Sequence, residues 1–224
     1  MPEPLPSLQP LPSDLTVDAV SDRAGRERVY DLRAEVYRED SDYLLHAGNG
    51  QHPAQDRFDR DAFLFAAFTG GAPVATCRFT PPRAGRWEAS EAGPVPAAVL
   101  GADRSDPAQL LQISRVVVHP DVRRLGVSEA ILRDACRWLL AHTDFRSYFA
   151  LCLPALAHFY EHFGAATVPG AEVRLAERGN KLYRFVHGTL AGSERVIDDY
   201  LASRLASVPG ALPVETIPGA SDVA

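Results

Sequence analysis

The sequence predicts an α/β (α+β) fold in which a central β-sheet is flanked by helices, and two segments carry this prediction. Residues 109–132 read as a buried, β-branched strand, a tight basic turn and the start of an amphipathic helix. Residues 147–165 repeat that order, with a second buried strand and a short helix that Pro154 opens and Gly164 closes. The repeated order of strand and then helix is the basis of the fold prediction.

The elements that precede these segments are read from periodicity and turn residues. They are a short strand near residues 15–20, a helix from about Ala24 to Arg38, and two strands at 63–68 and 73–80 around the hairpin signal Thr69-Gly-Gly-Ala72. Residues 39–57 and 81–107 are predicted to be long loops. A loop as long as the second one is unusual inside a compact domain and is often functional.

The chain after residue 165 is predicted to finish the sheet and add one helix. Strands are expected near 172–176 and 181–186, followed by a helix over about 193–206. The apolar face of that helix is assigned to the core or to a dimer contact. Residues 1–13 are rich in proline, and we expect them and the tail 207–224 to be disordered, which leaves 14–206 as a single domain.

Composition excludes several classes of function. The chain has 224 residues, 46% of them hydrophobic, and a formal net charge of -6, which disfavours general binding to nucleic acid. No apolar run approaches the roughly 20 residues of a membrane span, and no signal peptide is recognisable. Cys77, Cys136 and Cys152 are odd in number and lack metal-site spacing, which favours reduced thiols in a cytoplasmic protein that holds no metal.

The turn between the strand and the helix of residues 109–132 has the features of an anion site. Arg123, Arg124, Gly126 and Ser128 form the pattern Arg-x-x-Gly-x-Ser at the start of the helix. First-turn amides have no intrahelical acceptor, the helix dipole is positive there, and glycine allows close approach of an anion. A diphosphate is the natural ligand of such a turn. An ordinary turn with surface arginines is the alternative.

The two strand–helix segments together resemble the GCN5-related N-acetyltransferase (GNAT) superfamily. The matching residues are Arg123, Gly126, Tyr160, Glu161 and Gly164, while Ser128 stands where the family usually has Gly or Ala. The resemblance implies a GNAT fold, with a mixed sheet of about six to seven strands that is splayed between strands four and five. It also implies coenzyme A or acyl-CoA as co-substrate, held by Val116, Val117, Val118, Arg123, Arg124, Leu125, Gly126, Val127 and Ser128.

Residue clusters that lie mostly upstream of these two segments narrow the resemblance to one branch of the superfamily. They are Leu32-Arg33-x-x-Val36-Tyr37, Tyr43, Asp56-x-x-Asp59, Thr76-Cys-Arg78-Phe-Thr-Pro81 and Gln112-Ile-Ser-Arg115. These look like the acyl-homoserine-lactone (autoinducer) synthases and the related N-acyl amino acid synthases. The resemblance implies that the substrate is bound by Arg33, Tyr37, Asp59, Arg78, Gln112 and Arg115. Gln112 replaces a usual glutamate, Tyr43 replaces tryptophan, and the diphosphate loop is retained, so lactone formation is not expected.

Acyl transfer from a thioester to an amine needs an acid for the departing thiolate and a donor for the carbonyl oxygen. Tyr160 is the candidate general acid, and packing of its ring against the sheet is the alternative. A backbone amide near Val117 or Val118 is the candidate oxyanion donor. His158 and His162 are interpreted as surface residues, and Cys152 as a small buried residue and not an acyl carrier.

Arg78 and Arg115 raise a separate question of charge. Strand alternation predicts Arg115 on the apolar face of Leu111, Ile113 and Val117. A guanidinium there costs several kcal/mol unless it is paired. Candidate partners are Asp56, Asp59 and Glu35, and a carboxylate on the acceptor is the ligand alternative. A buried salt-bridge network and a substrate site therefore both remain open.

These observations predict a cytoplasmic N-acyltransferase that moves an acyl group from acyl-CoA, or from an acyl-carrier protein, to a primary amine of a small molecule such as an amino acid. The alternative function is a catalytically silent module that senses acyl-CoA and regulates a partner, and a homodimer is left open. Small residues on strand five would open a tunnel for a chain longer than acetyl, and aromatics would close it. The small residues are Ser147, Ala150 and Cys152, and the aromatic ones are Phe79 and Phe149.

Overall fold

The structure of the chain is a computed structural model. It describes residues 10–39, 52–83, 86–91, 93–101, 106–175 and 179–206. The sequence predictions for residues 1–9, for 40–51 with Tyr43, and for 207–224 lie outside these ranges. None of the helices in the described ranges is both long enough and apolar enough to span a membrane.

In the described ranges a seven-stranded mixed sheet forms the centre of the molecule. Its strands are β1 (Thr16–Ala19), β2 (Phe63–Thr69), β3 (Ala72–Thr80), β4 (Leu110–Val118), β5 (Ser147–Cys152), β6 (Ala166–Leu175) and β7 (Lys181–Thr189). Their order across the sheet is β1-β2-β3-β4-β5-β7-β6. The β4–β5 pair is parallel, and the other neighbouring strands are antiparallel. The predicted fold class is therefore confirmed.

Helices cover both faces of this sheet. They are α1 (Arg23–Glu39), the single turn α2 (Ala97–Leu100), α3 (Val127–His142), α4 (Pro154–His162) and α5 (Leu190–Ala206). Buried residues of α3 and α4 share one core cluster with β2, β3, β4 and β5, and α5 closes that cluster with Ile197 and Leu201. Helix α1 packs on the other face, where Val29 and Tyr30 meet Leu64 of β2.

Strand β6 begins at Ala166, earlier than the strand predicted near residues 172–176, and it contains Pro169 and Gly170. The structure places both inside the strand, between Thr167 and Glu172, where the register with β7 shifts. Proline has no amide hydrogen to give to a ladder, but an edge strand with a bulge tolerates it. β6 is one of the two edge strands of this sheet, so an amide on its outer side has no neighbouring strand to pair with.

The parallel pair β4–β5 separates partway along its length. Its register runs from Leu110 opposite Ser147 to Ile113 opposite Ala150. Beyond Ile113, β4 continues to Val118 while paired only to β3. The amides of this distal part of β4 that point toward β5 therefore make no ladder hydrogen bonds with it. This is the splay that the resemblance implied.

A β-bulge in β4 accompanies the separation. Thr76 of β3 faces Val117, and Arg78 faces Ser114, so two steps along β3 match three along β4. Arg115 lies in the bulge with φ of 53°, a left-handed conformation that is uncommon for a residue with a side chain. Bulges re-aim side chains, and they are over-represented next to active sites.

The bulge overturns the predicted orientation of Arg115. Leu111 and Ile113 lie in the core cluster beneath α3, as regular alternation predicts. The Arg115 guanidinium instead reaches the carboxylates that also bind Arg78, and Val117 packs with side chains of α1. Because the extra residue changes the alternation beyond Ser114, the prediction that Arg115 shares the apolar face of Leu111 and Ile113 is wrong.

The small residues of β5 do not share one face either. Ala150 and Cys152 lie in the core cluster that contains Tyr160. Ser147 alternates with them, on the face where Phe149 packs edge-on against Trp87 with ring centroids 5.4 Å apart. Only Ala150 and Cys152 are therefore candidates to line an acyl site on the α4 side of the sheet.

Candidate active site

The turn between β4 and α3 presents backbone amides that suit an anion. Arg124 and Gly126 both have left-handed backbone conformations, with φ of 69° and 86°. Gly126 is the N-cap of α3, and no side-chain hydrogen bond caps this helix end among the described residues. The first-turn amides of α3 thus have no side-chain acceptor at the N-cap, and the 16-residue helix adds its positive end. Such donors suit an anion with several negative charges, as the sequence predicted for this turn.

The side chains of this turn make local contacts that an anion would have to replace. Arg123 donates from Nε to the carbonyl oxygen of Val118 at 3.2 Å. Ser128 donates from Oγ to Oε2 of Glu129 at 2.6 Å. The Glu129 carboxylate stabilises the start of α3 but would repel a nearby phosphate. A bound diphosphate therefore needs guanidinium groups as well as amides.

Tyr160 lies on α4, the helix that follows β5. Its ring is 6% exposed and belongs to the same buried cluster as Ile113 and Ala150, the last paired residues of β4 and β5. The Phe159 ring packs edge-on against it with centroids 5.4 Å apart. Ring packing alone and packing combined with proton donation are both compatible with this burial.

The neighbouring residues of α4 face the surface. Glu161 accepts hydrogen bonds from Thr167 at 2.6 Å and lies 3.1 Å from His158, contacts that lower the pKa of its carboxyl. His158 and His162 are exposed, and His162 packs against Tyr200. Surface positions for the two histidines are what the sequence interpretation expected.

The thiol of Cys152 is a poor nucleophile. Burial raises its pKa to about 12, and the carboxylate of Glu161 adds to this effect. Because the thiolate is the reactive form, a thiol with so high a pKa reacts slowly at neutral pH. All three cysteines are buried and free of disulfides. The interpretation of Cys152 as a packing residue agrees with this environment.

On the α1 face of the sheet, Asp59 joins two fully buried arginines. Its Oδ1 accepts from Nη1 of Arg33 at 2.8 Å and from Nη1 of Arg78 at 3.0 Å. Its Oδ2 accepts from the backbone amide of Asp56 at 2.9 Å and so closes a capping box. The side chains of Arg33, Asp59 and Arg78 are each 0% exposed. These three predicted substrate residues form the closed end of a charge network.

Asp56 and Glu88 extend this network toward solvent. Asp56 binds Nη1 of Arg78 at 2.6 Å and Nη2 of Arg115 at 2.7 Å. Glu88 bridges the same two arginines, at 2.5 Å and 3.0 Å. The side chains of Asp56, Glu88 and Arg115 are 25%, 13% and 14% exposed. A ligand could therefore approach this open end.

Glu88 is a residue that sequence reasoning missed, because it lies in the long segment 81–107 that was predicted as a loop. The segment carries a 3-10 turn, Glu88–Glu91, that Gln112 fixes by accepting a hydrogen bond from the amide of Ala89 at 2.9 Å. Gln112 thus positions the Glu88 carboxylate. Glu35, a predicted partner of the arginines, instead lies 3.5 Å from His119.

Tyr37 is placed near the distal part of β4. It is buried in a small cluster with Leu32, Val36 and Val117. Helix α1 therefore brings two predicted substrate residues, Arg33 and Tyr37, to the same side of the sheet as the bulge at Arg115. The structure brings the predicted substrate residues together on that face, while the turn at residues 123–128 and Tyr160 follow the ends of β4 and β5.

Acid is expected to destabilise the protein through this network. Burial alone would raise the pKa of Asp56 and Glu88, but the guanidinium groups of Arg78 and Arg115 outweigh burial and hold both values below the ordinary range. A carboxylate with a depressed folded pKa stabilises the fold above its unfolded pKa, about 3.9 for Asp and 4.3 for Glu. That stability is lost as pH falls through the folded value, so the free energy of unfolding should decrease below about pH 5.

Urea unfolding between pH 7 and pH 3 measures this decrease. Glu88→Gln removes one of the paired carboxylates and should make the decrease shallower. Glu91→Gln is the matched control, because Glu91 is exposed and pairs with the exposed Arg57. An unchanged pH dependence in Glu88→Gln would contradict the expectation.

Comparison with known proteins gives one family and many similar structures. A family model described as acetyltransferase (GNAT) family matches residues 26–165. No curated protein matches the sequence. Solved structures that resemble the chain include a CoA-dependent acyl-homoserine lactone synthase, BjaI, with SAM and isopentyl-CoA. At 18% identity it has a TM-score of 0.63, over 84% of this chain and 90% of the other.

Two further solved structures show the same fold. FeeM, an N-acyl amino acid synthase from uncultured soil microbes, has a TM-score of 0.59 at 13% identity, over 80% of this chain and 92% of its own. ElaA of Escherichia coli has a TM-score of 0.52 at 12% identity, over 78% of this chain and 99% of its own. At these identities the likeness concerns the fold.

Proposed function

The chain belongs to the acetyltransferase (GNAT) family, and on that premise we propose that it is an N-acyltransferase that moves an acyl group from acyl-CoA to the primary amine of a small molecule such as an amino acid. The observation that carries the proposal is the separation of β4 from β5 beyond Ile113 and Ala150. β4 leads from that opening into the anion turn, and β5 leads into α4 with Tyr160. The carboxyl ends of parallel strands are where ligands bind in such sheets.

Each requirement of acyl transfer has a candidate group at this opening. Acyl-CoA supplies the thioester when bound. The turn at Arg123 and Arg124 holds its diphosphate, and a distal β4 amide near Val117 donates to the carbonyl oxygen as that oxygen gains charge. Tyr160 donates a proton to the departing sulfur. Orientation of the two reactants supplies much of the remaining acceleration.

The open end of the charge network suits an acceptor that carries both charges. Asp56 and Glu88 present carboxylate oxygens and Arg115 presents a guanidinium, all partly exposed. An amino acid carries an ammonium, which complements the two carboxylates, and a carboxylate, which complements the guanidinium. Because their pKa values are depressed, the two carboxylates remain charged and bind an ammonium, but they are weak bases. The ammonium must therefore lose a proton to solvent before its nitrogen attacks the thioester.

Coenzyme A is preferred over a carrier protein as donor. A phosphopantetheine arm has a single phosphate, whereas the turn offers the uncapped first-turn amides of α3 and two arginines. The small side chains of Ala150 and Cys152 favour acyl chains longer than acetyl on the α4 side of the sheet. Each buried methylene is worth about 0.8 kcal/mol, or about fourfold in affinity.

Thiol release tests the proposal. Acetyl-, octanoyl- and palmitoyl-CoA are each incubated with the protein, with a panel of amino acids and with the same amino acids blocked at nitrogen. We expect release of free thiol only with a free amine, together with an N-acyl product of the matching mass. kcat/KM should be about tenfold or more higher for octanoyl- than for acetyl-CoA, because extra methylenes are buried.

Two outcomes would contradict parts of this proposal. Tight binding of acyl-CoA without turnover for any amine would make the protein a sensor of acyl-CoA and not an enzyme. A steep preference for acetyl-CoA would contradict the proposal that acyl chains longer than acetyl are preferred.

Cys152→Leu should lower activity with octanoyl-CoA more than with acetyl-CoA. Cys136→Ala is the matched control, because the thiol of Cys136 lies on α3.

A further inference from the structure

The C-terminal helix delivers an arginine to the anion turn. A methyl group placed on Gly126 would lie 2.5 Å from Nη1 of Arg204, so the guanidinium lies directly against the turn. Nη2 of Arg204 approaches the carbonyl oxygen of Arg124 at 3.5 Å. Gly126 is buried, although it lies in a surface turn of exposed arginines. Helix α5 thus contributes to the surroundings of a turn that is distant from it in sequence.

The placement of Arg204 is fixed by the packing of α5 against α3. Arg137 of α3 binds Glu194 at 2.7 Å and Asp198 at 3.1 Å on α5. Ile197 and Leu201 are buried against the core on the same helix. The ring of Tyr200 lies 5.7 Å from the Arg204 guanidinium carbon. These contacts set the register of the two helices and bring the last turn of α5 to the first turn of α3.

The resulting charge arrangement suits a ligand with more than one negative charge. The guanidinium of Arg204 lies against a turn that also carries Arg123 and Arg124, so three arginines occur at or beside the positive end of α3. Cations are normally disfavoured at a helix N-terminus, and like charges that are held together repel one another. A diphosphate relieves both effects, because it accepts charge-assisted hydrogen bonds from the guanidinium groups and from the first-turn amides.

We propose that Arg204 is a further coenzyme A-binding residue, whose guanidinium contacts the diphosphate held by the turn at residues 123–128. This inference rests on the proposed use of acyl-CoA. Arg204 exchanges its long contact with the Arg124 carbonyl for a charge-assisted bond to phosphate. It acts on donor binding and not on the acyl-transfer step.

Calorimetry with coenzyme A and three variants tests the role of Arg204. Arg204→Met keeps most of the apolar stem and removes the charge, and Arg204→Lys keeps the charge without the planar donor fork. Arg195→Met is the matched control, because Arg195 is an exposed arginine of the same helix. We expect Arg204→Met to raise the Kd for coenzyme A about tenfold, Arg204→Lys to restore part of the affinity, and Arg195→Met to stay within about twofold.

A donor that lacks the diphosphate distinguishes a loss of diphosphate binding from a structural effect of the substitution. With an acyl-pantetheine thioester, kcat/KM of Arg204→Met should equal that of the wild-type protein, whereas with acyl-CoA KM should rise and kcat should not change. Equal losses with both donors, or unchanged affinity for coenzyme A in a folded Arg204→Met, would overturn the assignment while leaving the proposed function standing. A wild-type protein that binds no coenzyme A would overturn both.

Discussion

Replacing Asp59 with alanine is expected to destabilise the protein by about 3–5 kcal/mol, the usual cost of removing one partner from a buried ion pair. Asp59 is the carboxylate that Arg33 and Arg78 share, and all three side chains are inaccessible to solvent. Two nitrogens of Arg33, Nε and Nη2, are buried without a hydrogen-bond partner in the described structure. Loss of Asp59 therefore leaves a buried guanidinium without its counter-charge.

Equilibrium urea unfolding, followed by far-UV circular dichroism, measures this loss. Asp61→Ala is the control, because Asp61 pairs with Arg83 at 3.3 Å on the surface, and such pairs contribute about 0–1 kcal/mol. The double variant Arg33→Met/Asp59→Ala should recover part of the stability, since it also removes the orphaned charge. An Asp59→Ala protein that loses less than about 1 kcal/mol would mean that water or rearrangement compensates the arginines.

The sequence predicts the part of the fold that local patterns determine. The β-branched run of β4 and the glycine that caps α3 are local features, and the structure has both where they are expected. Proline at the start of α4 and glycine after its end likewise bound a real helix. In each case the signal lies within a few residues of the element it defines, so no distant contact is needed to read it.

The bulge at Arg115 shows where local patterns stop being sufficient. The prediction for β4 assumes that successive side chains alternate between the two faces of the sheet. One extra residue reverses the assignment of faces for the rest of the strand. The left-handed backbone of Arg115 leaves no mark in composition, and its guanidinium pairs with Asp56 and Glu88, which are distant from it in the sequence. The sequence predicts that Arg115 needs a partner, but not the side of the sheet on which that partner lies.

The contacts made by the segment 81–107 could not be predicted for a related reason. Its glycine and proline content indicates a loop, yet Trp87 is buried and donates from Nε1 to the carbonyl oxygen of Leu110 at 3.2 Å. Contacts of this kind with β4 order the 3-10 turn that carries Glu88. Arg204 is comparable, since only the packing of α5 on α3 brings it to the anion turn. Partners that are distant in sequence decide both cases.

Changing Tyr160 to phenylalanine is expected to lower kcat about 100-fold, within the range that a general acid contributes, while the Kd for acyl-CoA stays nearly constant. The change removes only the hydroxyl, so the ring still fills its place in the core cluster with Ala150 and Cys152. The turn at residues 123–128, which is proposed to hold the donor, is not altered. Steady-state thiol release and calorimetry separate the two effects, and Tyr200→Phe is the control, because its ring packs near α4 against Phe163.

The leaving group distinguishes proton donation by Tyr160 from simple packing. An alkyl thiol has a pKa near 8.5 and a free phenol near 10, so proton transfer from the hydroxyl of Tyr160 to the departing thiolate is slightly uphill and depends on a well-positioned hydrogen bond. In an acyl thioester of a nitrothiophenol, the leaving group is a stable thiolate that needs no acid. Tyr160→Phe should therefore react with that thioester at close to the wild-type rate, although it reacts slowly with acyl-CoA. Equal losses with both donors would indicate that the hydroxyl organises the site, and wild-type turnover with acyl-CoA would leave Tyr160 as a packing residue.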